Sequence, residues 1–252
     1  MRRLARVFTA AALLAGALQA APVAAADATA IAAGPSLRMG RLYMHTPRGL
    51  QACTGTLVAS PRHNMVVTAA HCLHSGLGGA YYTGFQFIPG YQKGKPAPLG
   101  VFDGATPLVN GGYVGKKDGD GEYDYGFLVL KPNKQGQQAG ELAGENPIAF
   151  GQPVVASRTV WAYLLNDRTA ECFGQTQAYL FPFDSRVRID CKFEPTSSGG
   201  PWYADYNATT QQGTVNGVIS GPMPGHESES VVLSPYFGIY AQSLYQQAEA
   251  AS

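Results

Sequence analysis

Val66-Val67-Thr68-Ala69-Ala70-His71-Cys72 is the stretch that decides how the rest of this chain is read. A β-branched run favours a strand, two alanines add almost no bulk, and a histidine and a cysteine then follow together. Two partners for that histidine lie downstream. Asp124 opens Asp124-Tyr125-Gly126-Phe127-Leu128-Val129-Leu130, and Ser198 sits in Ser197-Ser198-Gly199-Gly200-Pro201-Trp202. A serine hydroxyl is a poor nucleophile at neutral pH, so it needs a base within hydrogen-bond reach and a carboxylate that fixes the base's tautomer. His71, Asp124 and Ser198 supply those residue types, and distance along the chain is no obstacle to their meeting in a fold.

Short apolar runs recur between turn signals: Gly55 to Ala59, Met65 to Ala69, Tyr125 to Leu130, Pro153 to Ala156, Thr159 to Leu165 and Gly217 to Ser220. Lengths of four to seven residues and β-branched content predict strands of a sandwich or barrel. One helical stretch is expected, from about Pro235 to the end, with Ile239, Leu244 and Ala248 on one face docked onto the second half. The stretch 131–146, rich in Gln, Gly and Lys, is the least patterned connector, and the boundary between two halves is placed there. No repeat of 20 to 50 residues is present.

The chain opens with Arg2, Arg3 and Arg6, an Ala- and Leu-rich stretch to about Ala21, and Ala24-Ala25-Ala26. This order reads as a secretory leader, residues 1–26, because the apolar stretch is shorter than the ~20 residues of a spanning helix. Without it, 15 Lys and Arg stand against 17 Asp and Glu. So mild a balance points away from nucleic acid and from an electrostatically held membrane surface. The expected organisation is then a 27–40 segment or short propeptide, a first half over 41–138 and a second over 139–252. Thirty-one glycines, seventeen prolines and only 14% charged residues fit a turn-rich extracellular β protein.

Four cysteines in an exported chain without a Cys-x-x-Cys pair favour disulfides over metal. Of the three possible pairings, Cys53 with Cys72 and Cys172 with Cys191 close the local loops, each worth roughly 3 kcal/mol in the chain-entropy account. Three further features have plain alternatives. His71, Cys72 and His74 form a weak metal candidate; the acidic run Asp118 to Glu122 offers oxygen ligands that would suit calcium; and Asn207-Ala208-Thr209 matches a glycosylation acceptor but reads better as a solvated loop.

The histidine stretch, together with Cys53-Thr54-Gly55-Thr56-Leu57-Val58 upstream, resembles the histidine region of the chymotrypsin-like (trypsin-fold) serine peptidases, bacterial type. Asp124 with its apolar strand resembles the family's aspartate segment, and Ser198-Gly199-Gly200-Pro201 its serine loop, in the same order. The resemblance spreads over about residues 36–245. It implies an all-β fold, two antiparallel six-stranded β-barrels packed together with a C-terminal helix, His71 and Asp124 coming from the first barrel and Ser198 from the second. It also implies a secreted, monomeric endopeptidase acting on protein or peptide substrates with no cofactor, Ser198 attacking, His71 as base and Asp124 orienting it. Ser197 is the weaker competitor for nucleophile. A trypsin-fold binding protein without catalysis is the alternative, and an adhesion β-sandwich a more distant one.

Two departures stand out. Ser197 occupies the place of an aspartate that can pair with an amino terminus freed by cleavage, so a different activation route is expected. Thr196 replaces a glycine whose N–H, with that of Ser198, forms the family's oxyanion hole, and a threonine is far more restricted in φ. The primary pocket would be drawn from Ser220, Gly221 and Pro222 on its wall and from Lys192 and Glu194 near its floor. Lys192 would favour acidic side chains if it pointed inward, and Glu194 basic ones.

Overall fold

A computed structural model describes residues 26–27, 29–30, 35–115, 121–179, 184–193, 195–221 and 230–252. The leader up to residue 25, Asp118 and Asp120 of the acidic run, Glu194 and Pro222 lie outside the described residues. Two short strands come first, β1 (Ala26–Asp27) and β2 (Thr29–Ala30). Six more follow: β3 (Met39–Thr46), β4 (Gly49–Val58), β5 (Met65–Thr68), β6 (Thr83–Pro89), β7 (Phe102–Val109) and β8 (Gly126–Leu130). These six close into a barrel in the order β3-β4-β5-β8-β7-β6.

Alternation along the strands sorts the side chains into two layers. Leu42, Leu57, Val66, Phe87, Phe102 and Leu128 fill the barrel. Their neighbours Val67 and Phe127 face the other way, into a second cluster with Trp161, Tyr163, Tyr203, Val215 and Phe237 of the other half. Strands β5 and β8 are wholly buried because both of their faces are covered.

The second half contains β9 (Ser157–Tyr163), β10 (Thr169–Gln175), β11 (Gln177–Ala178), β12 (Val187–Ile189), β13 (Cys191–Lys192), β14 (Pro201–Asn207), β15 (Gln212–Val218) and β16 (Val232–Ser234). Among the described residues these form a five-stranded sheet, β15-β14-β9-β10-β2, a three-stranded one, β11-β12-β16, and the pair β1-β13. They surround an apolar cluster of Val160, Cys172, Ile189, Cys191, Trp202, Ile219 and Val232. Register shifts at Trp202/Tyr203 and Ala204/Asn207 bend β14 around that cluster. The 27–40 segment, expected as an N-terminal segment or short propeptide, begins by pairing here, Asp27 of β1 with Lys192 and β2 along Ala170–Glu171.

Two expectations change. The connector 131–146 holds a short helix, α2 (Ala139–Ala143), after α1 (Gly111–Val114). The Glu141 carboxylate accepts from the Gln138 N–H at 3.0 Å, satisfying a helix-end donor. Ala139 and Ala143 pack into the first barrel's core, so this stretch adheres to the first half. The C-terminal helix α3 (Ile239–Ala251) forms as expected but docks elsewhere. Its buried face is Ala241, Leu244 and Ala248, while Ile239 is 70% exposed. It lies on the outside of the first barrel: Tyr245 meets Phe127 at 5.6 Å between ring centroids and donates from its hydroxyl to the Ala59 carbonyl at 2.6 Å. The outward aromatics of β8 supply a docking surface that periodicity in the helix alone does not reveal.

Candidate functional site

The barrel register explains how His71 meets Asp124. Antiparallel pairing sets Thr68, the last residue of β5, opposite Gly126, the first of β8. Three residues beyond one strand end and two before the other then fall at the same edge of the barrel. His71 lies in a 3₁₀ turn, Ala70–Cys72, that closes directly on β5, and Ala69 and Ala70 are fully buried, so larger side chains would not fit there. The adjacent Cys72 is bridged to Cys53 of β4, which ties the turn to the barrel wall. The Cys172–Cys191 bridge forms as well and joins β10 to β13.

Asp124 receives three hydrogen bonds. The His71 backbone N–H donates to Oδ1 at 2.8 Å, His71 Nδ1 to Oδ2 at 2.8 Å, and the Ser220 hydroxyl to Oδ2 at 2.6 Å. An ionised carboxylate only accepts, so Nδ1 carries its proton and Nε2 is left as the ring's acceptor. The Asp124 side chain is 6% exposed, whereas the histidine side chain is 37% exposed and opens to solvent. Burial alone would raise the Asp124 pKa, but the His71 charge and the donated hydrogen bonds outweigh it and hold it low. For His71 loss of water lowers the pKa, and the Asp124 charge and hydrogen bond more than reverse that, leaving it raised.

Ser198 follows a 3₁₀ turn, Pro195–Ser197, and is half-buried, while Ser197 is 5% exposed. The Ser198 carbonyl accepts from the Thr54 N–H at 2.8 Å. Gly199 N–H donates to the Ile219 carbonyl at 2.8 Å and Ile219 N–H to the Gly200 carbonyl at 2.7 Å. The segment is thus laced to β4 on one side and to the stretch carrying Ser220 on the other. Gly199 has φ +79°, and a Cβ there would meet Thr68 Oγ1 at 2.1 Å and the Thr54 carbonyl at 2.2 Å, so only glycine serves. Thr68 stands three residues before His71.

The remaining sequence candidates separate. Among the described residues the non-glycine positions at positive φ are His63, Asp167, Asp205 and Gln211, so Thr196 needs no left-handed backbone. Its hydroxyl is buried and has no hydrogen-bond partner among the described residues. Lys192 is exposed on β13. Gly221 has φ +112°, and among the described residues nothing lies within 4 Å of a Cβ placed there. Ser220, expected on the pocket wall, donates its hydroxyl to Asp124; nothing in the sequence connects those two residues. Cys53, His71 and Cys72 cluster closely, but the two sulfurs are joined and offer no thiolate to a metal. His74 is engaged locally, its Nδ1 accepting from Gly76 N–H at 3.0 Å.

No family model and no curated protein matches the chain. Solved structures do. A thermostable serine protease, AL20, from an extremophilic microorganism is 30% identical with a TM-score of 0.77, the match covering 86% of this chain and 99% of AL20. The protease Anisep from Arthrobacter nicotinovorans is 27% identical with a TM-score of 0.78, covering 86% and 98%. A Glu endopeptidase at 18% identity and TM-score 0.69, covering 89% and 98%, shares the fold. With the six-stranded barrel, the C-terminal helix and AL20, at 30% identity, matched over nearly its whole length, the chain belongs to the chymotrypsin-like serine peptidases.

Proposed function

We propose that this protein is an endopeptidase that hydrolyses peptide bonds through an acyl-enzyme on Ser198. The observation that carries the reading is the double hold of Asp124 on His71, through the backbone N–H and through Nδ1, both at 2.8 Å. It leaves Nε2 as the acceptor of a ring whose side chain is partly exposed at the barrel edge. A base oriented in this way is what a serine nucleophile requires.

In the proposed reaction the Ser198 hydroxyl oxygen attacks the scissile carbonyl carbon while His71 Nε2 takes its proton. The resulting oxyanion is received by the N–H groups of Ser198 and Thr196, an arrangement whose donors act strongest where charge develops. Collapse breaks the C–N bond, and His71 returns the proton to the leaving amine. Water then attacks the ester, giving its proton to His71, and release of the carboxylic acid restores the Ser198 hydroxyl. Asp124 stays ionised and stabilises the imidazolium formed in both halves. Ser198 is assigned over Ser197 because it is the more open of the two and is followed directly by Gly199.

We further read residues 1–26 as a leader and the site of action as outside the cytoplasm, since two disulfides persist in oxidising surroundings. The substrates are then proteins or peptides met there, and the active form is a monomer. Replacing Ser198 by alanine and assaying casein and ester hydrolysis tests the assignment. Loss of both activities with an intact fold is expected, and unchanged hydrolysis rejects it.

A further inference from the structure

Ser197 stands where an acidic residue would have tied the serine segment to an amino terminus, so something else must hold that segment. Arg41 on β3 is 2% exposed, among the largest fully buried side chains of the protein. A buried guanidinium must find partners for its donors. Nε donates to Asp167 Oδ1 at 2.9 Å, and Nη2 lies 2.8 Å from the same oxygen and donates to the Leu164 carbonyl at 2.5 Å. The group also lies over the Tyr163 ring, 5.0 Å from its centroid. Its remaining nitrogen, Nη1, reaches the Thr196 carbonyl at 3.5 Å, two residues before Ser198.

The cross-strand partner of Arg41 is Thr54, whose N–H holds the Ser198 carbonyl at 2.8 Å. One rung of the first barrel therefore grips the carbonyls on both sides of Ser197. Peptide units are planar, so fixing a carbonyl also fixes the direction of the N–H across the same bond. The grips on the Thr196 and Ser198 carbonyls thus fix the Ser197 and Gly199 N–H groups, and the one peptide plane left between them is the one that carries the Ser198 N–H. Thr54 is itself braced: its carbonyl accepts from Thr68 Oγ1 at 2.8 Å and its hydroxyl oxygen from the Tyr163 N–H at 3.1 Å.

We propose that Arg41 is a positioning residue for the Ser198 segment, orienting the Thr196 carbonyl from within the first barrel and so holding the nucleophile and the Ser198 N–H without an ion pair to a freed amino terminus. This rests on the assignment of Ser198 as nucleophile. Asp167 and Leu164 in turn aim the guanidinium. Its planar fork spans several acceptors at once, which an ammonium cannot reproduce.

The test compares R41K, R41M and D167N with the parent, each at a temperature where circular dichroism shows it folded. Expected for R41K and R41M is a fall in kcat of about tenfold or more, below the roughly hundredfold or greater loss of an oxyanion donor itself, with KM nearly unchanged. Affinity for a peptide aldehyde, which forms the same tetrahedral oxyanion, should fall by the same factor, and affinity for an unreactive product peptide should not. If R41M does not fold, R41K and D167N decide, and D167N should shift kcat in the same direction by a smaller factor. Folded variants that lose thermal stability but keep the parent kcat and aldehyde affinity overturn the proposal and leave Arg41 a purely structural clamp. A separate S198A control distinguishes the two readings: activity surviving there removes the nucleophile assignment, whatever the Arg41 variants do.

Discussion

Ser220 Oγ lies 2.6 Å from Asp124 Oδ2, so the same carboxylate oxygen that accepts from the His71 ring is also held from the second half of the molecule. Asp124 belongs to the first barrel and Ser220 to the stretch beside the serine segment. The bond therefore joins the two halves at the point where the proposed chemistry needs them aligned.

Ser220→Ala removes a donor to a charged acceptor, an interaction worth about 1.5 kcal/mol or more. The expected result is a fall of about tenfold in kcat/KM, corresponding to that energy, with the fold intact. Michaelis kinetics beside a thermal unfolding curve measure it.

The pH profile follows from the two shifted groups. The base form of His71 is neutral, so activity is full above its pKa and is lost as pH falls through it. With that pKa raised by Asp124, the acid limb of kcat/KM lies above the ordinary histidine value. Asp124→Asn removes the charge that raises it, so the limb moves to lower pH while kcat drops by roughly 10⁴-fold. A limb that stays in place in the asparagine variant would contradict this account of the pair.

Gly199→Ala tests the close approach of the serine segment to β4 and β5. A non-glycine residue held at φ +79° carries strain of about 1 to 3 kcal/mol before the contacts with Thr68 and Thr54 are counted. Urea midpoints should shift by at least that amount, and hydrolysis should be lost even at temperatures where the variant is folded.

The barrel was legible in the sequence because strands such as Met65–Thr68 and Gly126–Leu130 are buried on both faces and therefore read as unbroken apolar runs. The two disulfides were legible because each closes a loop of 19 residues. What escaped were relationships across the chain. The face of α3 depends on Phe127 of a strand far away, and the bond from Ser220 to Asp124 spans 96 positions with no local pattern to mark either end. No local pattern marks Arg41, since only the fold brings Asp167, Leu164 and Thr196 around it.

Replacing Cys53 and Cys72 together by alanine removes the tie between β4 and the His71 turn. The chain-entropy account gives a loss of about 3 kcal/mol for a loop of this size. Activity should fall further than stability explains, because the residue next to Cys72 is the proposed base. Thermal unfolding and kinetics of the double variant separate the two effects.

The most direct measurement is labelling with a serine-directed fluorophosphonate followed by peptide mapping of the adduct. The account predicts one adduct per chain, on Ser198, formed by the native protein, abolished in Ser198→Ala and strongly slowed in His71→Ala. An adduct on Ser197, or hydrolysis that proceeds undiminished in Ser198→Ala, would contradict it.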